Sequence, residues 1–117
     1  MQLPKLGLGT YGLGNGIDCT NVVRAAIEEG IRWIDTAPSY GNESAVGLAV
    51  SEAVRDGTIQ HARDVFVSVK VSDNTWENLQ SSVKESLQRL GLPSAHLLLL
   101  HHPRDADETL SAWRGNE

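Results

Sequence analysis

The chain has 117 residues, of which 40% are hydrophobic and 21% are charged, a composition typical of one globular domain rather than of a disordered segment. The net charge is −5 with scattered basic residues, and no apolar run approaches the about 20 residues of a membrane span, so we expect neither nucleic acid nor a membrane as a partner. The single cysteine, Cys19, excludes an internal disulfide and a cysteine metal cluster, and we predict a cytoplasmic protein.

The first part of the chain predicts a strand, a helix and a second strand. Leu6–Gly9 is a short apolar run that we interpret as the first strand. Helical spacing of apolar residues follows over Thr20–Glu29, and Gly30 ends that helix. Ile31–Ile34 then predicts the second strand, which ends at Asp35. The predicted inner face of the helix consists of Val22, Val23, Ala26 and Ile27.

A second helix and a third strand follow. Helical periodicity begins after Asn42 and ends at Gly57. Its apolar positions are Val46, Ala49, Val50, Ala53 and Val54. Val65–Lys70 is rich in β-branched residues, which favours a strand that is buried on both faces.

The third helix has the clearest end signals. Asn74–Glu77 resembles a capping box, and Gly91 and Pro93 terminate the helix. Its apolar stripe consists of Trp76, Leu79, Val83, Leu87 and Leu90. Leu97–Leu100 predicts the fourth strand, and a fourth helix is expected to begin near Asp107, with Leu110 and Trp113 on one side.

Strands and helices therefore alternate in units of about 30 residues, the length of a βαβ element. This alternation implies an α/β fold with a parallel sheet and right-handed crossovers. A complete (β/α)8 TIM barrel needs about 250 residues. We interpret residues 1–117 as one domain that forms the first half of such a barrel, with about four parallel strands and three to four helices.

A Rossmann-type nucleotide-binding module is the alternative fold. Gly7–Gly12 matches the pattern G-x-G-x-x-G, and Asp35 ends the second strand about where a ribose-binding acid lies in that fold. However, such a helix should begin at the last glycine, so that its N-terminus meets the pyrophosphate. Here helical periodicity begins only near Thr20, and Pro4 leaves little room for a first strand.

Four polar residues follow or end the predicted strands, where parallel α/β proteins gather their chemistry: Asp35, Tyr40, Lys70 and His101. Each one alone has an ordinary structural explanation as a turn residue, a surface aromatic residue, a strand-end lysine or a core histidine. Together they can form an acid catalyst. A tyrosine hydroxyl has a pKa of about 10 and becomes a better acid beside an ammonium group. A carboxylate can hold that ammonium in place, and a neutral imidazole can orient a substrate oxygen. This set suits protonation of a carbonyl oxygen while a cofactor delivers hydride to carbon.

We expect no metal site. Side chains alternate along a strand, so His101 and His102 should point to opposite faces, as should His96 and His101. Three ligands from a regular strand therefore cannot converge on one ion.

The chain resembles the aldo-keto reductase superfamily in four segments. Leu6–Tyr11 resembles its first strand, and Gly30–Ala37 with Tyr40–Glu43 resembles its signature. The strand that ends at Lys70 and the segment Leu100–Pro103 are similar to its other two catalytic segments. The resemblance implies NADP(H)-dependent reduction of an aldehyde or ketone to an alcohol, with a small-molecule carbonyl compound as substrate.

The resemblance also implies residue roles. Tyr40 would be the general acid in reduction and the base in oxidation, with Lys70 and Asp35 tuning it. His101 would orient the carbonyl, so that Tyr40 and His101 contact the substrate. The residues implied near the nicotinamide end of the cofactor are Gly9, Thr10, Tyr11 and Asp35.

The sequence departs from the family pattern at two positions and in length. His102 stands where the family commonly has an aromatic residue, and Trp33 stands where many relatives have histidine. The family's second half, which binds most of the cofactor, has no counterpart in these 117 residues. The alternative function is therefore a catalytically silent half-barrel that acts, if at all, by association with another chain. Exposed sheet edges predict self-association.

Overall fold

The computed structural model describes residues 2–72, 75–102, 107, 110, 111 and 114. Strands and helices alternate along the chain, as predicted for an α/β fold. In chain order they are β1 (Leu8–Gly9), α1 (Ile17–Glu28), β2 (Trp33–Asp35), α2 (Glu43–Arg55), β3 (Phe66–Val71), α3 (Trp76–Leu90) and β4 (Leu97–Leu100), with 3-10 turns at Pro38–Tyr40 and Ala62–Asp64. None of the helices in the described ranges is long and apolar enough to cross a membrane.

The four strands form one parallel sheet in the order β1-β2-β3-β4, so each strand pairs with its neighbours in the chain. This is the strand order of a (β/α)8 barrel, and it confirms the predicted first half of one. A dinucleotide-binding fold would place β1 inside the sheet, between β2 and β4. Here β1 is an edge strand, and Gly12 lies in a turn with a φ of 83° before α1 begins at Ile17. The Rossmann alternative is therefore wrong.

The core lies between the three helices and one face of the sheet. Ile34, Val67 and Val69 point from the strands into it and are fully buried. The helices cover them with Val23 and Ile27 from α1, Ala45, Val46, Ala49, Val50 and Ala53 from α2, and Leu90 from α3. Because side chains alternate along a strand, Asp35, Ser68 and Lys70 lie on the opposite face, which the helices leave uncovered.

The first helix differs from its prediction. It begins at Ile17 rather than Thr20, and Val22 of the predicted inner face is 41% exposed. The buried positions are Cys19, Thr20, Val23 and Ile27. The buried face differs from the predicted one because Thr20 packs against α2, where its hydroxyl donates to the Ala45 carbonyl at 3.1 Å. A polar residue on the buried face adds nothing to hydrophobic periodicity.

The strand ends move by one or two residues. β1 begins at Leu8 rather than Leu6, because its ladder partners on β2 are Ile34 and Asp35. β2 begins at Trp33 rather than Ile31 and ends at Asp35 as predicted. β3 is Phe66–Val71 rather than Val65–Lys70, one residue later at each end. β4 has the predicted bounds.

The cap of α3 is Thr75, whose hydroxyl accepts a hydrogen bond from the Asn78 amide at 3.1 Å. The cap therefore falls one residue later than the start of the predicted box, and Asn74 lies outside the described residues. Gly91 ends the helix as predicted, with a left-handed φ of 68°. In the predicted fourth helix, the described residues 107, 110, 111 and 114 are helical, and Trp113 lies outside the described residues.

The second and third helices touch at a glycine. A Cβ atom at Gly47 would lie 2.1 Å from the Leu90 carbonyl oxygen at the end of α3. Only a residue without a side chain allows this approach. The contact fixes α3 against α2 and thereby the direction in which the chain enters β4.

Candidate active site

The predicted site residues meet at the carboxyl end of the sheet. Asp35 is the last residue of β2, and Tyr40 ends the 3-10 turn that follows it. Lys70 lies near the end of β3, and His101 follows β4. The parallel order of the strands brings these four positions to one edge, as the sequence predicts.

Lys70 and Asp35 form an ion pair. Asp35 is paired in register with Ser68, so Lys70, two residues further along β3, lies on the same face of the sheet. The Lys70 Nζ atom lies 2.6 Å from Asp35 Oδ2 and also donates to the Thr36 carbonyl at 3.3 Å. The lysine side chain is 12% exposed and the aspartate side chain 28% exposed, which keeps the pair partly shielded from water.

Tyr40 contacts both Lys70 and His101. The Lys70 Nζ atom lies 4.7 Å from the centroid of the Tyr40 ring, within cation–π range. The His101 ring lies edge-on to it, with centroids 5.9 Å apart and planes at 84°. A phenol beside a fixed ammonium and an imidazole is a suitable donor group for a substrate oxygen that approaches this edge.

Two residues that the sequence analysis did not assign to the site support Asp35. Ser68 is fully buried, and its hydroxyl donates to Asp35 Oδ1 at 2.6 Å. The indole Nε1 of Trp33 donates in turn to the Ser68 hydroxyl at 2.9 Å. Trp33, one of the two departures from the family pattern, thus acts on the carboxylate through Ser68. The signal in the sequence was a serine two residues before Lys70 in an otherwise apolar strand.

Asn42 was also missed, and it joins the loops that follow β1 and β2. Its buried amide donates to the Thr10 carbonyl at 2.7 Å and accepts from the Thr36 hydroxyl at 2.8 Å. The Thr10 hydroxyl and amide both donate to the Asp35 carbonyl, at 2.9 and 3.1 Å. In the sequence, the position of Asn42 just before α2 suggests only a helix cap.

The predicted cofactor residues have different environments. Thr10 is fully buried and bonded within the protein, whereas Tyr11 is 80% exposed and its ring lies 5.3 Å from that of Tyr40. Gly9 is exposed, and a Cβ built on it meets nothing within 4 Å. The open space at Gly9 and the exposed ring of Tyr11 leave room for a flat heterocycle, so the residues present are compatible with a nicotinamide at this edge. Their role as cofactor contacts stays a prediction.

The prediction that His101 and His102 point to opposite faces is wrong. Their rings are stacked, with centroids 4.3 Å apart and planes at 9°. Strand alternation does not apply to them, because β4 ends at Leu100. His96 lies before the other end of β4, where its Nδ1 atom accepts a hydrogen bond from the Val67 amide at 3.2 Å. Within the described ranges, no group of three potential metal ligands comes together, and the prediction of no metal site stays a prediction.

Comparison with known proteins identifies relatives over nearly the whole chain. The sequence profile of the Aldo/keto reductase family matches residues 5–115. The chain is 38% identical to methylglyoxal reductase DkgB of Escherichia coli O157:H7 over 92% of its length, and 35% identical to glyoxal reductase of Bacillus subtilis over all of it. It covers 39% and 41% of those two proteins.

One solved structure gives the same result for the fold. The crystal structure of an aldo-keto reductase complexed with NADPH superposes with a TM-score of 0.77 and 34% sequence identity. The match covers 86% of this chain and 33% of that one. The relatives are thus much longer than this chain of 117 residues.

Proposed function

Because the chain belongs to the aldo/keto reductase family, we propose that it carries the proton-donating part of an NADPH-dependent enzyme that reduces an aldehyde or ketone to an alcohol. One observation carries the proposal: the Lys70 ammonium is held by Asp35 and lies 4.7 Å from the Tyr40 ring. The solved relative contains NADPH, and another relative, from Pachysolen tannophilus, is an NAD(P)H-dependent D-xylose reductase.

In the proposed reaction, Tyr40 donates its hydroxyl proton to the carbonyl oxygen. Lys70 stabilises the phenolate that remains, and Asp35 keeps the ammonium in place. His101 hydrogen-bonds the carbonyl oxygen and orients it toward Tyr40. NADPH, when bound, supplies the hydride, which side chains cannot donate. Gly9 and Tyr11 would flank the nicotinamide, while Thr10 holds the loop through its bonds to Asp35.

We take residues 1–117 as one aldo/keto reductase domain that covers the first part of the barrel. The chain spans about two fifths of the length of the curated relatives named above, so the activity, the cofactor and the substrate of the protein belong to this proposal. The cytoplasmic location stays a prediction from the sequence.

A second candidate function is a catalytically silent half-barrel that associates with another chain. It is favoured by the two edges of the sheet, since within the described residues β1 and β4 each pair on one side only. The face that carries the site also leaves Trp33, Leu97 and Leu99 partly exposed. Self-association through these edges would bury this apolar surface against another chain.

The two functions are separated by NADPH binding and turnover. Cofactor fluorescence with the folded 117-residue chain measures binding, and loss of NADPH absorbance with a small aldehyde measures turnover. We expect Tyr40→Phe to lower turnover by about a hundredfold or more, because it removes the proton donor, and to leave NADPH binding near normal. Ser51→Ala removes an exposed hydroxyl from α2 and is the control, which should keep most of the turnover.

Equal turnover in Tyr40→Phe and the unmodified chain would contradict the role of Tyr40. A folded chain that binds no NADPH would favour the silent half-barrel.

A further inference from the structure

Asn42 stands where a helix cap is expected, but its side chain does not cap the helix. An asparagine at this place usually accepts a hydrogen bond from a backbone amide in the first helical turn. Within the described residues the Asn42 side chain makes no such bond to α2, although its backbone carbonyl accepts the first helical bond, from the Val46 amide at 3.0 Å. The side chain is fully buried and bonds to the loops after β1 and β2 instead. Its position therefore serves those loops rather than the helix.

The two ends of the Asn42 amide have different partners. A backbone carbonyl can only accept a hydrogen bond, so the amide nitrogen faces the Thr10 carbonyl, to which it donates at 2.7 Å. The amide oxygen accepts from the Thr36 hydroxyl at 2.8 Å. All three residues are fully buried. Breaking either bond would leave a polar group without a partner away from water, so both bonds resist a change in the position of the loops.

The bond to Thr36 closes the turn that carries Tyr40. Thr36 and Asn42 stand at the two ends of this turn, six positions apart in the chain. Between them lies the 3-10 turn Pro38–Tyr40, which the chain leaves through Gly41 with a left-handed φ of 67°. The Asn42 amide thus holds the two ends of the turn together.

The bond to Thr10 joins this turn to the loop after β1. Tyr11 follows Thr10 directly, and its ring lies edge-on to the Tyr40 ring, with centroids 5.3 Å apart and planes at 65°. The Thr10 hydroxyl and amide tie the loop to β2 through Asp35, whereas the Asn42 amide ties it to the turn of the tyrosine. Because Tyr11 is 80% exposed, the place of its ring beside Tyr40 depends on how these two backbone segments are held.

We infer that Asn42 is a positioning residue: its buried amide fixes Tyr40, the proposed acid, relative to Gly9–Tyr11, the proposed contact of the nicotinamide. This role rests on the proposed carbonyl reduction, in which one carbonyl group receives a proton from Tyr40 and a hydride from NADPH. The two donors must keep a fixed separation, and a misplacement of about 1 Å can cost about a hundredfold in rate.

The distance between the two loops can be followed by NMR on the 117-residue chain. The chain contains two tyrosines, so in a chain protonated only at its tyrosine rings a contact between two rings is that of Tyr11 with Tyr40. The contact is measured as a nuclear Overhauser effect and needs neither cofactor nor substrate. It reports on the relative position of the loops and not on the overall stability of the fold.

Two variants remove one part of the bridge each. Asn42→Ser keeps a residue that can cap a helix and removes the bond to the Thr10 carbonyl. Thr36→Val keeps the shape of its side chain and removes the bond that closes the turn. Asn78→Ser makes the same substitution at an exposed position of α3 and is the matched control.

We expect the contact between the tyrosine rings to be lost in Asn42→Ser, to weaken in Thr36→Val and to be unchanged in Asn78→Ser. Circular dichroism establishes that each variant is folded under the conditions of the NMR spectrum. In a chain that reduces an aldehyde, kcat should fall about tenfold or more in Asn42→Ser with little change in KM, because a fully buried side chain offers the substrate no contact.

A ring contact of full strength in folded Asn42→Ser would overturn the inference. Where Asn42→Ser does not fold, Thr36→Val decides, and a contact of full strength there would overturn it equally. Loss of the contact in a chain that reduces no aldehyde would contradict the proposed function alone. Full contact and full turnover in Asn42→Ser would contradict this inference alone.

Discussion

The hydroxyl of Ser68 links a tryptophan to the carboxylate that holds Lys70. It is fully buried, accepts from Trp33 Nε1 and donates to Asp35 Oδ1. A buried hydrogen bond to a charged group contributes more than one between neutral groups, and its loss leaves two polar atoms without this partner. The position of Asp35 therefore depends on a residue outside the proposed catalytic set.

Ser68→Ala tests this dependence. We expect the free energy of unfolding to fall by about 1–3 kcal/mol, because the half-buried indole N–H and one carboxylate oxygen lose their partner. Urea denaturation measures it, with exposed Ser51→Ala as the control. A double-mutant cycle with Trp33→Phe should give a coupling energy above about 0.5 kcal/mol. Additive effects would contradict the link from Trp33 through Ser68.

Residue patterns in the sequence predicted four residues that meet at the carboxyl end of the sheet, but not the residues that support them. Asp35, Lys70 and His101 stand at or next to the end of an apolar strand, and Tyr40 stands in the turn that follows β2. Their catalytic roles stay predictions. Ser68 and Asn42 could not be found in this way, because their partners depend on strand register and on loop packing. The prediction for the orientation of His102 was wrong for a related reason. Side chains alternate only inside a strand, and β4 ends at Leu100, two residues before His102.

At the scale of elements, the close contact between α2 and α3 depends on Gly47. Its neighbour is the backbone oxygen of Leu90, which cannot move aside as the end of a flexible side chain can. Leu90 is itself 2% exposed and belongs to the core. Any side chain at residue 47 must therefore separate the helices or displace the end of α3.

Gly47→Ala should consequently destabilise the protein, although alanine has the higher helix propensity. We expect a loss of about 1–3 kcal/mol or more in the free energy of unfolding, the usual cost of overpacking. Thermal unfolding followed by circular dichroism measures it, and Ser51→Ala on the exposed face of the same helix is the control. Unchanged or increased stability would mean that α3 moves away from α2 without cost.

Periodicity located every helix and strand in the described ranges but not all of their ends. β4 was predicted to the residue, because four consecutive leucines have clear limits. The prediction missed the start of α1, because Ile17 is 68% exposed and Cys19 is the only buried apolar residue of the helix before Thr20. One inward-facing residue is too little to define a helical period.

At the scale of the whole molecule, the sheet has two unpaired edges and one uncovered face within the part of the chain that the structure describes. Leu100, at the end of β4, is 37% exposed, and the strand carries a run of four leucines. Natural proteins usually protect such edges with charge, with proline or with a covering element. The 117-residue chain on its own is therefore expected to associate.

Sedimentation velocity over a range of concentrations tests this expectation. The unmodified chain should show species larger than the monomer, and Leu100→Lys should shift the distribution toward monomer, because a charge at the edge opposes strand pairing. Leu48→Lys places the same charge on α2, where the native leucine is 46% exposed, and should change little. A compact monomer at every concentration would contradict association through the edges.

The order of the strands has a consequence for synthesis on the ribosome. Each strand pairs with the one made just before it, so the sheet can grow at one edge in the order of translation. The Lys70–Asp35 pair requires only the first three strands, whereas the contact of His101 with Tyr40 requires the fourth. The ion pair that supports the tyrosine can thus be complete in the nascent chain before the stacked histidines have left the ribosome.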